Sequence, residues 1–193
     1  MYKRQPQPKV AQQTEDDTLL EVTLPLSQGR SYKLSAIEWS GNQKVSTDQL
    51  QGLFHFPLNQ PANAVQVDSA LREVEQLYGA HGYVRATVKP VPHFDEAKGT
   101  VTYELQVQEG DLYRMGELEI HGLDSKTTAQ LVEKWAVRPG TPYDATYSKR
   151  FIEEAWKMLA SHVDWTISAH EAVDDREKVV DISLVYGVQP SSH

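Results

Sequence analysis

Histidine is the residue type in this sequence with the greatest capacity to bind a metal, and the chain contains seven. His81 and His162 lie at equivalent predicted helix ends. The other five are scattered along the chain: His55, His93, His121, His170 and His193. None forms a HExxH pair or another close ligand spacing. We therefore expect surface or helix-terminal histidines, with no metal and no other cofactor.

Carboxylates at Asp174, Asp175 and Glu177 form the densest acidic cluster, and paired carboxylates can act as acid and base in a desolvated cleft. Arg176 and Lys178 are interleaved with them in a predicted hairpin turn, which favours a solvated turn instead. The chain has no cysteine, so disulfides, thiolate metal sites and cysteine nucleophiles are excluded. Nucleotide-binding and hydrolase motifs are also missing from the sequence, and we expect no enzyme activity.

Net charge and hydropathy exclude two further classes of protein. The formal charge is −8 and the pI is about 5.3, so the chain offers no basic stripe for nucleic acid. No apolar run reaches the roughly 18 residues of a membrane-spanning helix. At 39% hydrophobic residues, the chain suits one or two ordinary globular domains.

An internal repeat organises the chain. Sliding the sequence on itself by 81 residues aligns residues 19–88 with 100–169 without a gap. After a hairpin that is four residues shorter in the second copy, residues 180–187 match 103–110. The shared identities include these pairs: Gly29 and Gly110, Tyr32 and Tyr113, Glu38 and Glu119, Gly41 and Gly122, Pro61 and Pro142. The apolar pattern agrees as well, which indicates a duplicated domain.

Each copy begins with an alternating strand, over Leu34–Trp39 and Leu118–Ile120, that a glycine closes. Ser46-Thr-Asp-Gln49 and Thr127-Thr-Ala-Gln130 have the pattern of capping boxes. They predict short helices over Leu50–Phe54 and Leu131–Trp135.

A longer helix follows, with Asn63 or Asp144 as its N-cap and apolar residues at 3-4 spacing. Gly79 and Gly82 can end the first of these helices. Two alternating strands complete each copy, from Val84 or Trp165 onward. The predicted fold class is α+β: two consecutive β-α-α-β-β units, each a three-stranded mixed sheet covered by two helices.

The predicted organisation has five segments. Residues 1–17 are a disordered leader, and residues 18–31 are the last strand of a truncated upstream unit plus a linker. Because that strand has no sheet of its own, it should fray or borrow an edge from a neighbouring chain. Residues 32–109 and 110–188 are the two domains, and residues 189–193 form a tail.

Three features suggest sites of contact. Gly29 with Tyr32, and Gly110 with Tyr113, are either hinges between units or ordinary turns. Trp156 is either an exposed partner contact or a residue at the border of the core.

The second strand of the first copy is the third feature. Pro90 and Pro92 place it at a sheet edge, because proline cannot donate a ladder hydrogen bond. The prolines either only protect the edge or leave the segment before them free to pair with a guest strand. That predicted peptide-binding segment consists of Tyr83, Val84, Arg85, Ala86, Thr87, Val88 and Lys89.

The sequence resembles tandem POTRA domains of BamA-like outer-membrane assembly factors or of related two-partner-secretion transporters. The resemblance lies in Val-Gln-Glu-Gly-Asp-Leu-Tyr at 107–113, Gly-Tyr-Val-Arg-Ala at 82–86 and Tyr-Asp-Ala-Thr-Tyr at 143–147. The second copy departs from the pattern, with Val163-Asp164-Trp165 in place of the Gly-Tyr pair.

The resemblance implies a periplasmic, non-catalytic arm that precedes an outer-membrane β-barrel. The implied partners are unfolded outer-membrane proteins or secreted substrates, bound by β-augmentation, and accessory lipoproteins. Membrane contact would come only through a barrel that is not in this sequence. Two other functions stay open, which are an interaction module of an FtsQ-like cell-division protein and a periplasmic hydrolase.

Overall fold

The structure, a computed structural model, describes residues 30–159 and 164–188, together with the backbone of residues 9–10 and 22–23. The first unit contains β3 (Lys33–Ser40), α1 (Thr47–Gln51), α2 (Ala64–Ala80), β4 (Thr87–Asp95) and β5 (Thr100–Gln108). The second contains β6 (Arg114–His121), α3 (Ser125–Lys134), α4 (Tyr147–Ala155), β7 (Trp165–Asp174) and β8 (Val179–Val188). A 3-10 turn, Trp156–Met158, extends α4.

Both units have the same sheet topology. The strand order is β3-β5-β4 in the first and β6-β8-β7 in the second. The middle strand is parallel to the first strand of its unit and antiparallel to its hairpin partner. The predicted fold class, two β-α-α-β-β units with three-stranded mixed sheets, is therefore confirmed.

Each unit has its own core between the sheet and the two helices. In the first unit, α2 buries an apolar stripe at 3-4 spacing against alternate residues of β5. The main contributors are Val67, Leu71, Val74, Leu105 and Val107. The second core is built the same way, with Phe151, Ile182 and Leu184 at its centre.

The helix starts follow the sequence signals in the first unit only. Ser46 and Gln49 form the predicted capping box, and the side chain of Asn63 caps α2. The predicted box at Thr127 is wrong, because Asp124 is the N-cap of α3. The Asp124 carboxylate accepts bonds from the N–H groups of Lys126 and Thr127, so the helix begins one turn earlier than predicted.

The start of α4 also differs from the prediction, whereas the glycine stop of α2 at Gly82 is confirmed. The N-cap of α4 is Thr146, and Asp144 lies in the preceding turn, where it accepts bonds from the N–H and hydroxyl of Thr146. Gly79 lies inside α2, whereas Gly82 follows the helix end with a φ of +90°. Such a left-handed residue after a helix is the position that favours glycine.

A short antiparallel pair, β1 (Lys9–Val10) with β2 (Val22–Thr23), precedes the first unit. Residues 9–10 were predicted to be disordered, and residues 22–23 were predicted to have no partner strand in this chain. In the structure these four residues pair with each other. Extended segments with unpaired backbone groups gain hydrogen bonds by pairing. The rest of residues 1–29, with Gly29, and the predicted tail at 189–193 lie outside the described residues. Among the helices that the structure describes, none is long and apolar enough to cross a bilayer.

Candidate peptide-binding edge and inter-unit joint

The predicted peptide-binding segment Tyr83–Lys89 is only partly a strand. Tyr83, Val84, Arg85 and Ala86 lie in the turn between α2 and β4, where the N–H of Tyr83 donates to the carbonyl of Tyr78. Thr87, Val88 and Lys89 belong to β4. The strand therefore starts at Thr87, and the first four residues of the segment have no ladder to offer a guest.

The turn residues are held by the second unit. Val84 packs against the second hydrophobic core, and Arg85 donates from Nε and Nη2 to Asp175, at 3.1 and 3.0 Å. In the second copy the equivalent residues, from Trp165 onward, stay in strand β7. The same position in the repeat thus forms a joint in one copy and a strand in the other.

We define the inter-unit joint as Gly82, Arg85, Tyr113 and Asp175. Tyr113 is only 2% exposed. Its N–H donates to the carbonyl of Gly82 at 2.8 Å, and its hydroxyl donates to Asp175 at 2.5 Å. Lys178 lies over the ring, 5.3 Å from its centroid, and forms an ion pair with Asp111.

The backbones of the two units lie close together at Gly82 and Gly79. A Cβ at Gly82 would lie 2.9 Å from the carbonyl oxygen of Tyr113 and 2.7 Å from the side chain of Leu112. The carbonyl of Gly79 accepts a bond from the N–H of Ala145 in the second unit. Glycine at these places lets the end of α2 contact the next unit.

The linker between the units is fixed on its first-unit side by Glu109. One oxygen of its carboxylate accepts from the backbone N–H groups of Gln43 and Lys44, at 2.7 and 2.6 Å, and from the hydroxyl of Tyr78. Gly110 follows with a φ of +69°. The 107–113 motif thus connects Glu109, which is hydrogen-bonded within the first unit, to the buried Tyr113 of the second unit.

Tyr32, the equivalent of Tyr113, makes a similar bond within the first unit. Its hydroxyl donates to Glu96 at 2.7 Å, and Arg30 forms an ion pair with the same carboxylate. Its ring contacts Phe94, with centroids 4.7 Å apart. The tyrosine-to-turn-carboxylate bond is therefore a repeated feature of the two units.

Electrostatics favour the charged forms at the joint. Hydrogen bonds from Arg85 and then from Tyr113 lower the pKa of Asp175. The bond to Asp175 correspondingly raises the pKa of Arg85. Both side chains are more than half exposed, so water screens this pair and geometry is its main contribution.

β4 is one of the two edge strands of the first sheet, the other being β3. Pro90 and Pro92 stand opposite Leu105 and Tyr103. A proline can occupy a ladder position only where its nitrogen points away from the partner strand, so the even-numbered residues direct their backbone groups outward. The two prolines remove the N–H groups at 90 and 92 from the middle of that edge, and Val88 and Phe94 retain theirs.

β7 is the corresponding edge strand of the second sheet, and it contains no proline. The pairings of Thr87 with Gln108 and of Ser168 with Val185 place the strands in equivalent register. Residues 171 and 173 therefore correspond to the two prolines. In β7 the outward-directed N–H groups belong to Ile167, Ala169, Glu171 and Val173, and no third strand covers them in the described part of the chain.

Trp156 and the acidic cluster lie in different places. Trp156 is 44% exposed in the 3-10 turn after α4. Asp174 caps the β7–β8 turn by accepting from the N–H groups of Arg176 and Glu177, as a solvated turn requires.

Sequence reasoning missed the role of Asp175 at the joint, because nothing local links it to Arg85. Among the described residues, no three histidine or acidic side chains gather as a metal site.

Two similar α+β units joined through a short linker and a buried aromatic define a tandem-repeat domain protein. Residues 32–110 match the POTRA family, described as surface antigen variable number repeat. The match covers the first unit, and the second unit repeats the fold of the first. The resemblance to tandem POTRA domains is confirmed.

Solved structures of BamA share this architecture. POTRA domains 3–5 of Haemophilus influenzae BamA superpose with a TM-score of 0.71 at 21% identity, covering 95% of this chain and 71% of that one. Haemophilus ducreyi BamA lacking POTRA domains 1–3 gives a TM-score of 0.63 at 20% identity, covering 82% of this chain and 30% of that one. Both likenesses establish the fold.

One relative is described as a putative outer membrane protein assembly factor. It comes from Treponema pallidum (strain Nichols) and is 21% identical over 122 residues. The match covers 63% of this chain, which spans 15% of the length of that relative.

Proposed function

We propose that this chain is part of a periplasmic, non-catalytic scaffold that binds extended segments of unfolded outer-membrane or secreted proteins during assembly or export. The POTRA match and the description of the Treponema relative support this role. The accessory partners that the resemblance implies, lipoproteins, belong to the same proposal. Binding occurs by addition of a guest strand to a sheet edge.

The observation that carries the proposal is the edge of β7. It is a ten-residue strand without proline, whereas β4 has lost two of its outward donors. A guest strand alongside β7 gains bonds at Ile167, Ala169, Glu171 and Val173. We therefore place the main guest-strand site in the second unit rather than at Tyr83–Lys89.

Weak binding follows from the energetics. Each added backbone bond contributes about 0.5–1.5 kcal/mol, and the guest must also be ordered and immobilised. The dissociation constant should lie on the order of micromolar to millimolar. Affinity carried by backbone groups tolerates many sequences, which suits a scaffold that passes on varied clients.

Charge favours one kind of guest. The solvent-facing side of the second sheet beside β7 carries Glu117, Glu119 and Asp181, with His170. A guest strand with lysines on one side complements these carboxylates.

The test is a titration of the isotope-labelled chain with a peptide of about eight residues, a typical strand length, that alternates valine with lysine. Amide shifts should map to β7 and vary with peptide concentration. Ala169→Pro removes one outward donor and should weaken binding, whereas Ala169→Val keeps the donor and should bind normally. Shifts confined to β4, or to the helical surface around Trp156, would contradict the proposal.

A further inference from the structure

A pocket of about 260 Å³ opens on the first unit beside the start of α2. Leu34 and Val67 line it from the core side, and Phe56, Pro57, Pro61 and Ala62 add to its apolar surface. Its polar lining consists of His55, Gln60, Asn63 and Gln66. It lies away from the β4 edge and from the inter-unit joint.

The second unit has the same backbone at this place. The N–H of Ala62 donates to the carbonyl of Tyr32 at 2.8 Å, and the N–H of Tyr143 donates to the carbonyl of Tyr113 at 3.0 Å. The bridges from Lys33 to Pro61 and from Arg114 to Pro142 also match. Ala62 and Tyr143 are therefore equivalent positions, occupied by a small and a large side chain.

In the second unit the side chain at this position is a tyrosine that packs into the core. Tyr143 is 1% exposed and belongs to the second core together with Met115, which is equivalent to Leu34. Burial, and then the Glu171 carboxylate, raise the pKa of Tyr143. The hydroxyl nevertheless has no hydrogen-bond partner among the described residues. The tyrosine thus shows which shape of side chain the site accommodates.

The residues next to the pocket differ between the two copies. Leu58 and Val65 each adjoin a lining residue of the open pocket in sequence, and they are 49% and 76% exposed. Their equivalents around the filled site are Pro139 and Thr146. Exposed aliphatic residues are therefore present only at the copy whose pocket is open, and exposed apolar surface next to a concave site is typical of binding surfaces.

We propose that this pocket binds an aromatic side chain, phenylalanine or tyrosine, presented by a separate partner polypeptide. The ring enters beside Ala62, where the second unit places the ring of Tyr143. The residues that flank the aromatic contact Leu58 and Val65. Because the pocket lies in the first unit, this site is independent of the guest-strand edge on β7.

The simplest probe is 4-methylphenol, the side-chain analogue of tyrosine. Titrated into the labelled chain, it should shift the amides of Leu34, Ala62 and Val67 with a dissociation constant on the order of millimolar. tert-Butanol at equal concentration should give much smaller shifts, since it does not have the shape of a ring. Equal shifts with both compounds would remove the aromatic preference.

Substitution of the two equivalent positions gives a matched pair. Ala62→Tyr fills the pocket as in the second unit, so binding at Ala62 should disappear while the melting temperature holds or rises. Tyr143→Ala opens a second pocket, so new shifts should appear around Met115. Undiminished binding by a folded Ala62→Tyr variant would overturn the proposal. Should that variant not fold, Ala62→Leu makes the same test.

A peptide comparison tests the polypeptide partner. A flexible Gly-Ser peptide with one central phenylalanine should bind at least about tenfold more tightly than the same peptide with alanine, because the ring buries its apolar surface. The difference should vanish in Ala62→Tyr. Equal affinity of the two peptides for the unsubstituted chain would contradict a site for a partner's aromatic residue.

Discussion

The guanidinium of Arg85 donates hydrogen bonds to both carboxylate oxygens of Asp175, which lies 90 residues later in the chain and in the other unit. The same carboxylate accepts the hydroxyl of Tyr113. Planar, two-point contacts of this kind fix orientation as well as distance. The relative orientation of the two units therefore depends on side chains as well as on the short linker.

Removing the charge of Asp175 should loosen the joint without unfolding either unit. Asp175→Asn loses the charge-assisted contact with Arg85, while both cores stay intact. We expect residual dipolar couplings to fit one alignment tensor for the unsubstituted chain and two different tensors for the variant. The melting temperature should change little, because exposed ion pairs contribute little to stability.

Glu96→Gln is the matched control for that experiment. Glu96 stands at the equivalent turn of the first unit, where it accepts bonds from Tyr32 of its own unit and from Arg30 of the segment just before it. Its substitution should leave the couplings of both units on one tensor. If Asp175→Asn behaves in the same way as Glu96→Gln, the joint is held by the backbone contacts alone.

Acid should open the joint. Bonds from Arg85 and Tyr113 lower the pKa of Asp175 in the folded chain, and the ordinary value is about 3.9. A depressed carboxyl pKa contributes stability above the ordinary value, and this contribution is lost as the pH falls through the folded pKa. The orientation should therefore be constant from about pH 5 to 8 and loosen below about pH 4. An orientation in Asp175→Asn that depends on pH in the same way would contradict this assignment.

Two glycines with positive φ allow backbone strain to be separated from the close approach at the joint. Gly99 has a φ of +65°, and nothing lies within 4 Å of the position that a Cβ would take there, whereas Gly82 has a φ of +90° and faces Tyr113 and Leu112. Gly99→Ala should lower the free energy of unfolding by about 1–2 kcal/mol through left-handed strain. Gly82→Ala should cost more and also shift the amides of the joint. Urea unfolding measures the change in the free energy of unfolding, and amide spectra measure the change at the joint. If both variants lose the same free energy of unfolding, the contacts around Gly82 can shift to accept a Cβ without further cost.

The sequence predicted the repeat, the element order and the first-unit caps, because these depend on local pattern. The 3-4 spacing of Val67, Leu71 and Val74 and the alternation of β5 are each sufficient to place an element against a core. Asp124 was missed because Thr127 offered a competing cap signal three residues later. The aspartate accepts two backbone N–H bonds, so the earlier start prevails.

The joint could not be predicted from local pattern. Tyr83–Ala86 alternates in sequence like the start of a strand, as its equivalent at Trp165 does in fact. Contacts of Val84 and Arg85 with the next unit draw this segment into a turn instead. Such contacts join residues that are far apart in the chain, and a single sequence contains no signal for them.

Restoring the missing backbone donors of β4 should make this edge strand able to pair. Pro90→Val with Pro92→Thr adds two outward N–H groups to a strand that is otherwise suitable for pairing. The double variant should self-associate with a dissociation constant on the order of micromolar to millimolar, and it should bind the valine–lysine peptide at β4 as well as at β7. Sedimentation equilibrium measures the first effect and amide shifts the second. Val91→Thr with His93→Thr changes neighbouring side chains without adding donors, so this control should remain monomeric. If the proline variant also stays monomeric and gains no peptide binding, missing donors are not what keeps the β4 edge unpaired.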